Sequence, residues 1–196
     1  MFMGIPAILL AAGASTRLGR PKQLVEYHGE TLLARAIRLT QEAGCDPVFV
    51  VLGANLETIL PTGLSDRAVP VINKDWQEGI SSSIQSGLRA VHGALPGTEG
   101  VLLLTCDQPR LSAEHLGALM RRFSSEYGDV IVASAYAGAL GTPAVFPRGA
   151  FRQLFELRGD TGARALFTKP ARPVVGVPFP DGEVDIDTPA DLDQLF

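Results

Sequence analysis

Cysteine is nearly missing: Cys45 and Cys106 are the two in the chain, and they stand in no metal-ligand spacing. That usage points to a reducing compartment and to no disulfide framework. Histidine is almost as scarce. His28, His92 and His115 are scattered, match no ligand pattern and read as surface or packing residues. Positive charge is short as well. The formal net charge of −4 argues against broad nucleic-acid or membrane-surface binding, so any basic site must be local. There is no long apolar run and no basic N-terminal region; Met1 to Gly4 lead straight into a strand. Neither a signal peptide nor a membrane span is expected, and the expected location is the cytoplasm. No internal repeat, low-complexity tract or linker interrupts the sequence.

What is present suits a single globular unit. The chain has 196 residues, 46% hydrophobic and 19% charged, enough to bury a substantial core as one domain over residues 1–196. Ile5 to Leu10, Pro47 to Leu52, Ala68 to Ile72, Gly100 to Thr105 and Asp129 to Ala135 read as strands. Between them lie helical patterns over Thr31 to Ala43, Leu56 to Leu60, Gly79 to Val91 and Ser112 to Phe123, with Thr31 and Ser112 as N-caps. Alternating strands and helices, without polar alternation in the strands, predict a mostly parallel sheet covered on both faces, a three-layer α/β/α domain. The second half is less regular. Thr142 to Phe146, Val174 to Val177 and Val184 to Ile186 read as strands; Gly149 to Leu157 and Gly162 to Phe167 read as helices. Thr188-Pro-Ala-Asp191 opens a last helix, with Thr188 as N-cap.

The chemistry concentrates after the first strand. Ala11, Ala12, Gly13 and Ala14 leave the backbone open to close approach, and Ser15, Arg17 and Lys22 follow. Such a loop can wrap a polyphosphate, with backbone N–H groups as cradle and cations neutralising charge. Neither a G-x-x-x-x-G-K-[ST] nor a G-x-G-x-x-G spacing is present. Asp107 follows a buried strand in Thr105-Cys-Asp-Gln-Pro-Arg-Leu111. Beyond the carboxyl end of a strand flanking the switch in strand order, it would face the same crevice as Gly13. There it suits Mg²⁺ beside a triphosphate; alternatively it caps the turn before Pro109. Cys106 reads as a small buried thiol. Asp185 and Asp187 share a side if their segment is extended, or serve the N-terminus of the last helix. Gly79 and Ser83, in a serine-rich strand-to-helix connection, could read a base or ribose, or simply start a helix. Trp76 is a packing or a stacking residue.

Leu10-Ala-Ala-Gly-Ala-Ser-Thr-Arg-Leu-Gly-Arg-Pro-Lys22 resembles the L-A-A-G-x-S-x-R-x-G-x-x-K signature of sugar-nucleotide-type nucleotidyltransferases, and within them the molybdenum cofactor cytidylyltransferases. Four further stretches fit that resemblance: Cys106-Asp-Gln-Pro109, Trp76 to Leu88, Gly141-Thr-Pro-Ala-Val-Phe146 and Gly159-Asp-Thr-Gly-Ala-Arg164. It implies a Rossmann-like sheet of the nucleotide-diphospho-sugar transferase type. It also implies transfer of CMP from CTP to the terminal phosphate of molybdopterin with release of pyrophosphate. Arg17, Lys22 and Asp107 would be catalytic, and Asp107 and Asp187 would hold Mg²⁺. Ala11, Ala12, Gly13, Ser15, Gly79 and Ser83 would bind nucleotide. Gly141, Pro143, Asp160, Gly162 and Arg164 would form the second-substrate side, with Arg164 and the start of the Gly162 helix taking a phosphate. The related guanylyltransferases carry Ala-Gly-Gly where this chain has Ala11-Ala12-Gly13, so the Ala12 methyl would narrow the base pocket towards a pyrimidine. A molybdoenzyme or its chaperone is the implied protein partner. Guanylyl transfer, cytidylyl or uridylyl transfer to a sugar or polyol phosphate, and a non-catalytic role in cofactor delivery are the competing readings.

Overall fold

The computed structural model describes residues 5–62, 64–170 and 172–192. β1 (Ala7–Ala11) is five buried apolar residues in a row. After the loop come a single 3₁₀ turn at Lys22–Leu24, a small hairpin of β2 (Glu26–Tyr27) and β3 (Glu30–Thr31), and α1 (Leu32–Glu42). Thr31 caps α1, its Oγ1 accepting the Ala34 N–H at 3.2 Å. β4 (Val48–Leu52), α2 (Leu56–Ile59), β5 (Ala68–Ile72), α3 (Ile80–Ala94) and β6 (Gly100–Thr105) complete the regular half. The other half holds α4 (Ala113–Ser125), capped by Ser112, then β7 (Ile131–Tyr136), β8 (Ala139–Pro147), α5 (Phe151–Glu156), α6 (Ala165–Thr168), β9 (Val174–Pro178) and α7 (Pro189–Leu192).

Seven strands form one sheet in the order β5-β4-β1-β6-β8-β7-β9. All pairings are parallel except those of β8, which runs antiparallel to both β6 and β7. Alternate residues of β1 serve opposite faces. Leu9 packs in a core with Ile37, Leu116 and Leu119 of α1 and α4, whereas Ile8 and Leu10 pack with Ile84, Leu88 and Leu154 of α3 and α5. Both faces are dry, which is why the central strands are continuous apolar runs. The three-layer α/β/α architecture is the expected one.

Two expectations are corrected. Val184 to Ile186 form no strand; their one tie to the sheet's end is the Ile186 N–H donating to the Asp107 carbonyl at 3.0 Å. The helix expected from Gly162 is a single turn at Ala165–Thr168, too short to build a dipole of consequence at Gly162. The reversed strand β8 arises from a two-residue turn in which Ala137 (φ 47°) and Gly138 (φ 72°) both take left-handed conformations. That is the backbone of a type I′ turn, whose twist matches paired antiparallel strands.

Candidate active site

The loop after β1 is shaped from within. Ser15 takes φ 54°, and its carbonyl accepts the N–H groups of Leu18 and Gly19, both at 3.1 Å. Its Oγ accepts the backbone N–H of Lys22 at 3.1 Å. Gln23, 1% exposed, donates through Nε2 to the carbonyls of Ala11 (2.7 Å) and Gly13 (3.0 Å). The sequence reading passed over Gln23, because a glutamine after a lysine carries no signal until the fold aims it at the loop. Both carbonyls are thereby held by a buried donor within the protein.

β1 and β6 are neighbours, as the crevice argument requires, and Asp107 sits just past β6. Lys22 Nζ donates to Asp107 Oδ2 at 2.7 Å and to Asp187 Oδ1 at 2.9 Å. Arg17 Nη2 donates to Asp187 Oδ2 at 2.7 Å. Two acids from the two ends of the second half therefore converge on one ammonium. Burial alone would lower the Lys22 pKa, but Asp107 and Asp187 outweigh it and hold it above the usual lysine range. Asp187 is lowered, chiefly by the Lys22 hydrogen bond. The Asp187 segment is fixed by Ile186, fully buried, and by Asp191, whose Oδ2 accepts from the N–H groups of Asp187 (3.0 Å) and Thr188 (2.7 Å) and from Thr188 Oγ1 (2.9 Å). Asp191 thus reaches back across the start of α7 rather than merely favouring its dipole.

Two cavities meet at Asp107. The larger, about 390 Å³, is walled by Ala11, Ala12, Gly13 and Lys22 on one side and by Gly79 and Ser83 on the other. Trp76 lines it as well, so its ring is both a wall and a packing group. Ser83 is positioned by Asn73, buried and absent from the sequence reading, whose Nδ2 donates to Ser82 Oγ (2.8 Å) and Ser83 Oγ (3.0 Å). Gly79 has φ 100°, and a Cβ there would run into the Gly159 carbonyl and Asp160. Only glycine lets the 159–160 loop rest on the start of α3, where the Ser81 N–H donates to the Gly159 carbonyl at 3.1 Å. That contact carries Asp160 into the larger cavity, whereas Gly141, Gly162 and Arg164, expected beside it, line the smaller one.

The smaller cavity, about 230 Å³, takes Gly141, Gly162 and Arg164 together with Tyr136, Gln108 and Asp185. Any side chain at Gly141 would strike the Tyr136 hydroxyl, which itself donates to the Thr142 carbonyl at 3.2 Å. Arg164 Nε donates to the Leu140 carbonyl at 3.0 Å. Pro143, like Asp160, is absent from this cavity: it is buried behind the wall, its carbonyl accepting Ser134 Oγ at 2.6 Å. Asp185 is raised to about 7 by desolvation of its carboxyl and the nearness of Asp107 and Asp187. Ser15 and Arg17 line neither cavity; Ser15 fixes the Lys22 backbone, and Arg17, its side chain 72% exposed, stands at the rim on Asp187. Burial pushes the Cys106 thiol up to about 12, so it is a packing group and no nucleophile. His115 is also a core residue, lowered to about 4 by burial and stacked on Phe179.

The sequence matches the model of the MobA-like NTP transferase domain over residues 7–174. The chain belongs to that family. Among curated proteins it is 36% identical to the nicotine blue oxidoreductase of Paenarthrobacter nicotinovorans, over 74% of this chain and 68% of that one. It is 29% identical to the purine catabolism protein PucB of Bacillus subtilis, over 96% and 94%. A probable molybdenum cofactor guanylyltransferase of Opitutus terrae is 32% identical over 63% and 57%. Among solved structures it is similar to Rv0371c of Mycobacterium tuberculosis, with TM-score 0.82 and 30% identity over 98% of this chain and 97% of that one. A complex of Rv0371c with manganese gives TM-score 0.78 and 28% identity over the same shares. The family makes this chain a nucleotidyltransferase. Among the described residues no helix is long and apolar enough to cross a membrane.

Proposed function

We propose that the protein transfers CMP from CTP to the terminal phosphate of a molybdopterin-type acceptor. An acceptor phosphate oxygen would attack the α-phosphorus, the bond to the bridging oxygen would break, and pyrophosphate would leave with its electron pair. The observation that carries this reading is Lys22 held between Asp107 and Asp187 where the two cavities meet. The nucleotide has its seat in the loop-walled cavity, and the acceptor in the one reached by Arg164. An anionic phosphate oxygen needs no general base, so catalysis falls to in-line positioning and charge neutralisation.

The donor set fits the divalent ion that the family reading implies. Asp107 and Asp187 offer hard carboxylate oxygens side by side on the Lys22 ammonium, which an ion held between them would displace or share. Two carboxylates completed by phosphate oxygens and water is the coordination Mg²⁺ prefers. Bound there, Mg²⁺ would supply Lewis acidity and hold the phosphates in register. Rv0371c in its complex with manganese supports a divalent ion in this fold. The loop N–H groups bind the phosphates, Lys22 and Arg17 neutralise the triphosphate and the departing pyrophosphate, and Ser83 reaches the ribose or base.

Ala12 supports the pyrimidine: it lines the larger cavity, where a residue larger than glycine leaves less room for a base. Guanylyl transfer is the second reading, favoured by the relative named a molybdenum cofactor guanylyltransferase. Thermal unfolding with Mg²⁺ and CTP, GTP, UTP or ATP in turn tests both. A ligand at about a hundred times its Kd adds about 2.7 kcal/mol, a rise in Tm of about 5–10 °C at this length. CTP alone should give it, and Ala12→Gly should let GTP do so too, within the ~1–3 kcal/mol that one methyl decides. A shift with GTP alone in the wild type overturns cytidylyl transfer; no shift with any nucleotide, with or without acceptor, overturns nucleotidyl transfer. The product would pass to a molybdoenzyme or its chaperone.

A further inference from the structure

Arg35 lines neither cavity, yet it joins the two loops that make the site. It projects from α1 with its side chain 19% exposed. Nε donates to the Pro109 carbonyl at 3.2 Å and Nη2 to the Leu111 carbonyl at 3.1 Å. On its other side Nη1 donates to Glu30 Oε1 at 3.3 Å, and the guanidinium carbon lies 5.4 Å from the centre of the Tyr27 ring. Glu30 is itself held by Arg38, so this anchor is firm. Tyr27 and Glu30 belong to the β2–β3 hairpin directly after the Lys22–Leu24 turn; Pro109 and Leu111 belong to the loop that Asp107 opens.

Elsewhere the loop is tied by Gln108, whose Nε2 donates to the Thr142 (3.2 Å) and Gly182 (2.8 Å) carbonyls, and by the Arg110–Asp181 ion pair at 3.0 Å, but neither reaches the Pro109 or Leu111 carbonyl. Pro109 has no N–H to donate, and the loop's one internal backbone bond is the Leu111 N–H on the Gln108 carbonyl at 3.2 Å. Pro109 and Leu111 are buried, so their carbonyls need donors inside the protein. A planar guanidinium can span both; a lysine ammonium, a point charge, can reach one. Because the Ile186 N–H donates to the Asp107 carbonyl, a shift of this loop also moves the Asp187 segment.

We propose that Arg35 is a positioning residue: it clamps the Asp107–Leu111 loop to the hairpin that follows Lys22 and so sets both carboxylates against the Lys22 ammonium. The clamp is read directly by hydrogen exchange on the full chain without ligand. In Arg35→Ala the amides of Leu111 and Ile186 should exchange on the order of ten times faster or more, while those of β4 and α3 stay protected. Unchanged exchange at Leu111 and Ile186, or an equal loss across β4 and α3, overturns the proposal. Arg35→Lys should fall between wild type and Arg35→Ala, and full protection in it would overturn the two-carbonyl clamp. The activity arm rests on the proposed nucleotidyl transfer. There Arg35→Ala should lower kcat about ten- to a hundredfold with the nucleotide KM changed by less than about threefold. A raised KM at wild-type kcat overturns the positioning role. If the wild type transfers no nucleotide, that reading falls, and the exchange rates still decide the role of Arg35.

Discussion

The two cavities that meet at Asp107 are built by different means. One wall of the larger is main chain and small residues: Ala11, Ala12 and Gly13, Gly79, and a serine set in place by a buried amide, with Lys22, Trp76 and Asp160 beside them. The smaller is made of side chains with charge and reach, Tyr136, Arg164 and Asp185. A wall of backbone cannot be retuned by single substitutions without changing the fold beneath it, whereas a wall of side chains can. The first cavity therefore suits a ligand part common to many substrates, a nucleoside triphosphate, and the second suits the part that differs.

The strongest test of that contrast is Lys22→Ala, which removes the one cation both cavities touch through Asp107. It should lower kcat about a hundredfold or more, as the loss of a charge contact made in the transition state does. Turnover at the wild-type rate would remove Lys22 from the catalytic group. Arg164→Ala should act on one side only. Losing a charged hydrogen-bond donor, worth about 1.5 kcal/mol, should raise the acceptor KM about tenfold and leave the CTP KM unchanged. An equal rise in both would mean that the cavities are not separate seats.

The smallest effect concerns pH. Asp187 is lowered below its ordinary value of 3.8 by Lys22, so its pairing stabilises the fold in full above 3.8 and is lost as pH falls through the lowered value. Lys22 is raised above 10.5, so its share is full below 10.5 and is lost only as pH climbs through the raised value. Wild type should thus exceed Asp187→Asn in urea unfolding by on the order of 1 kcal/mol or less, since the pair is partly exposed. That margin should narrow as pH rises towards 7, where Asp185 ionises beside Asp187, and vanish in strong acid, where Asp187 is protonated. A margin that persists in strong acid would show that another group controls it.

The parallel half of the sheet was legible because strands buried on both faces become unbroken apolar runs, as Val48 to Leu52 and Gly100 to Thr105 are. The convergence of Lys22, Asp107 and Asp187 was legible because each stands in a short, dense motif. The β7–β8 reversal was not, because its turn uses Ala137 at a position where asparagine or glycine is the usual signal. That Asp160 lines the larger cavity, apart from Arg164, was not legible because its motif shows a bend but not what the bend leans on, which is Gly79. Val184 to Ile186 read as a strand by composition, but its single cross-chain hydrogen bond is a tether, not a ladder. Gln23, Asn73 and Arg35 act on backbone carbonyls or hydroxyls that only the folded chain brings near. In the sequence they resemble any polar residue of a loop or helix face.

Lys22 and Asp187 are 165 positions apart. A chain emerging from the ribosome would hold the phosphate loop long before it held the second acid. Through most of synthesis Lys22 would have Asp107 at best, and the Arg17 partner would not exist. The charge balance of the site closes only once residue 187 is in place, through contacts of very long range in sequence, and such contacts bear a large loop-closure cost before they form. Chains cut short ahead of residue 187 would keep the parallel core strands but lack the second acid, so the charged centre is the last part of the site to close.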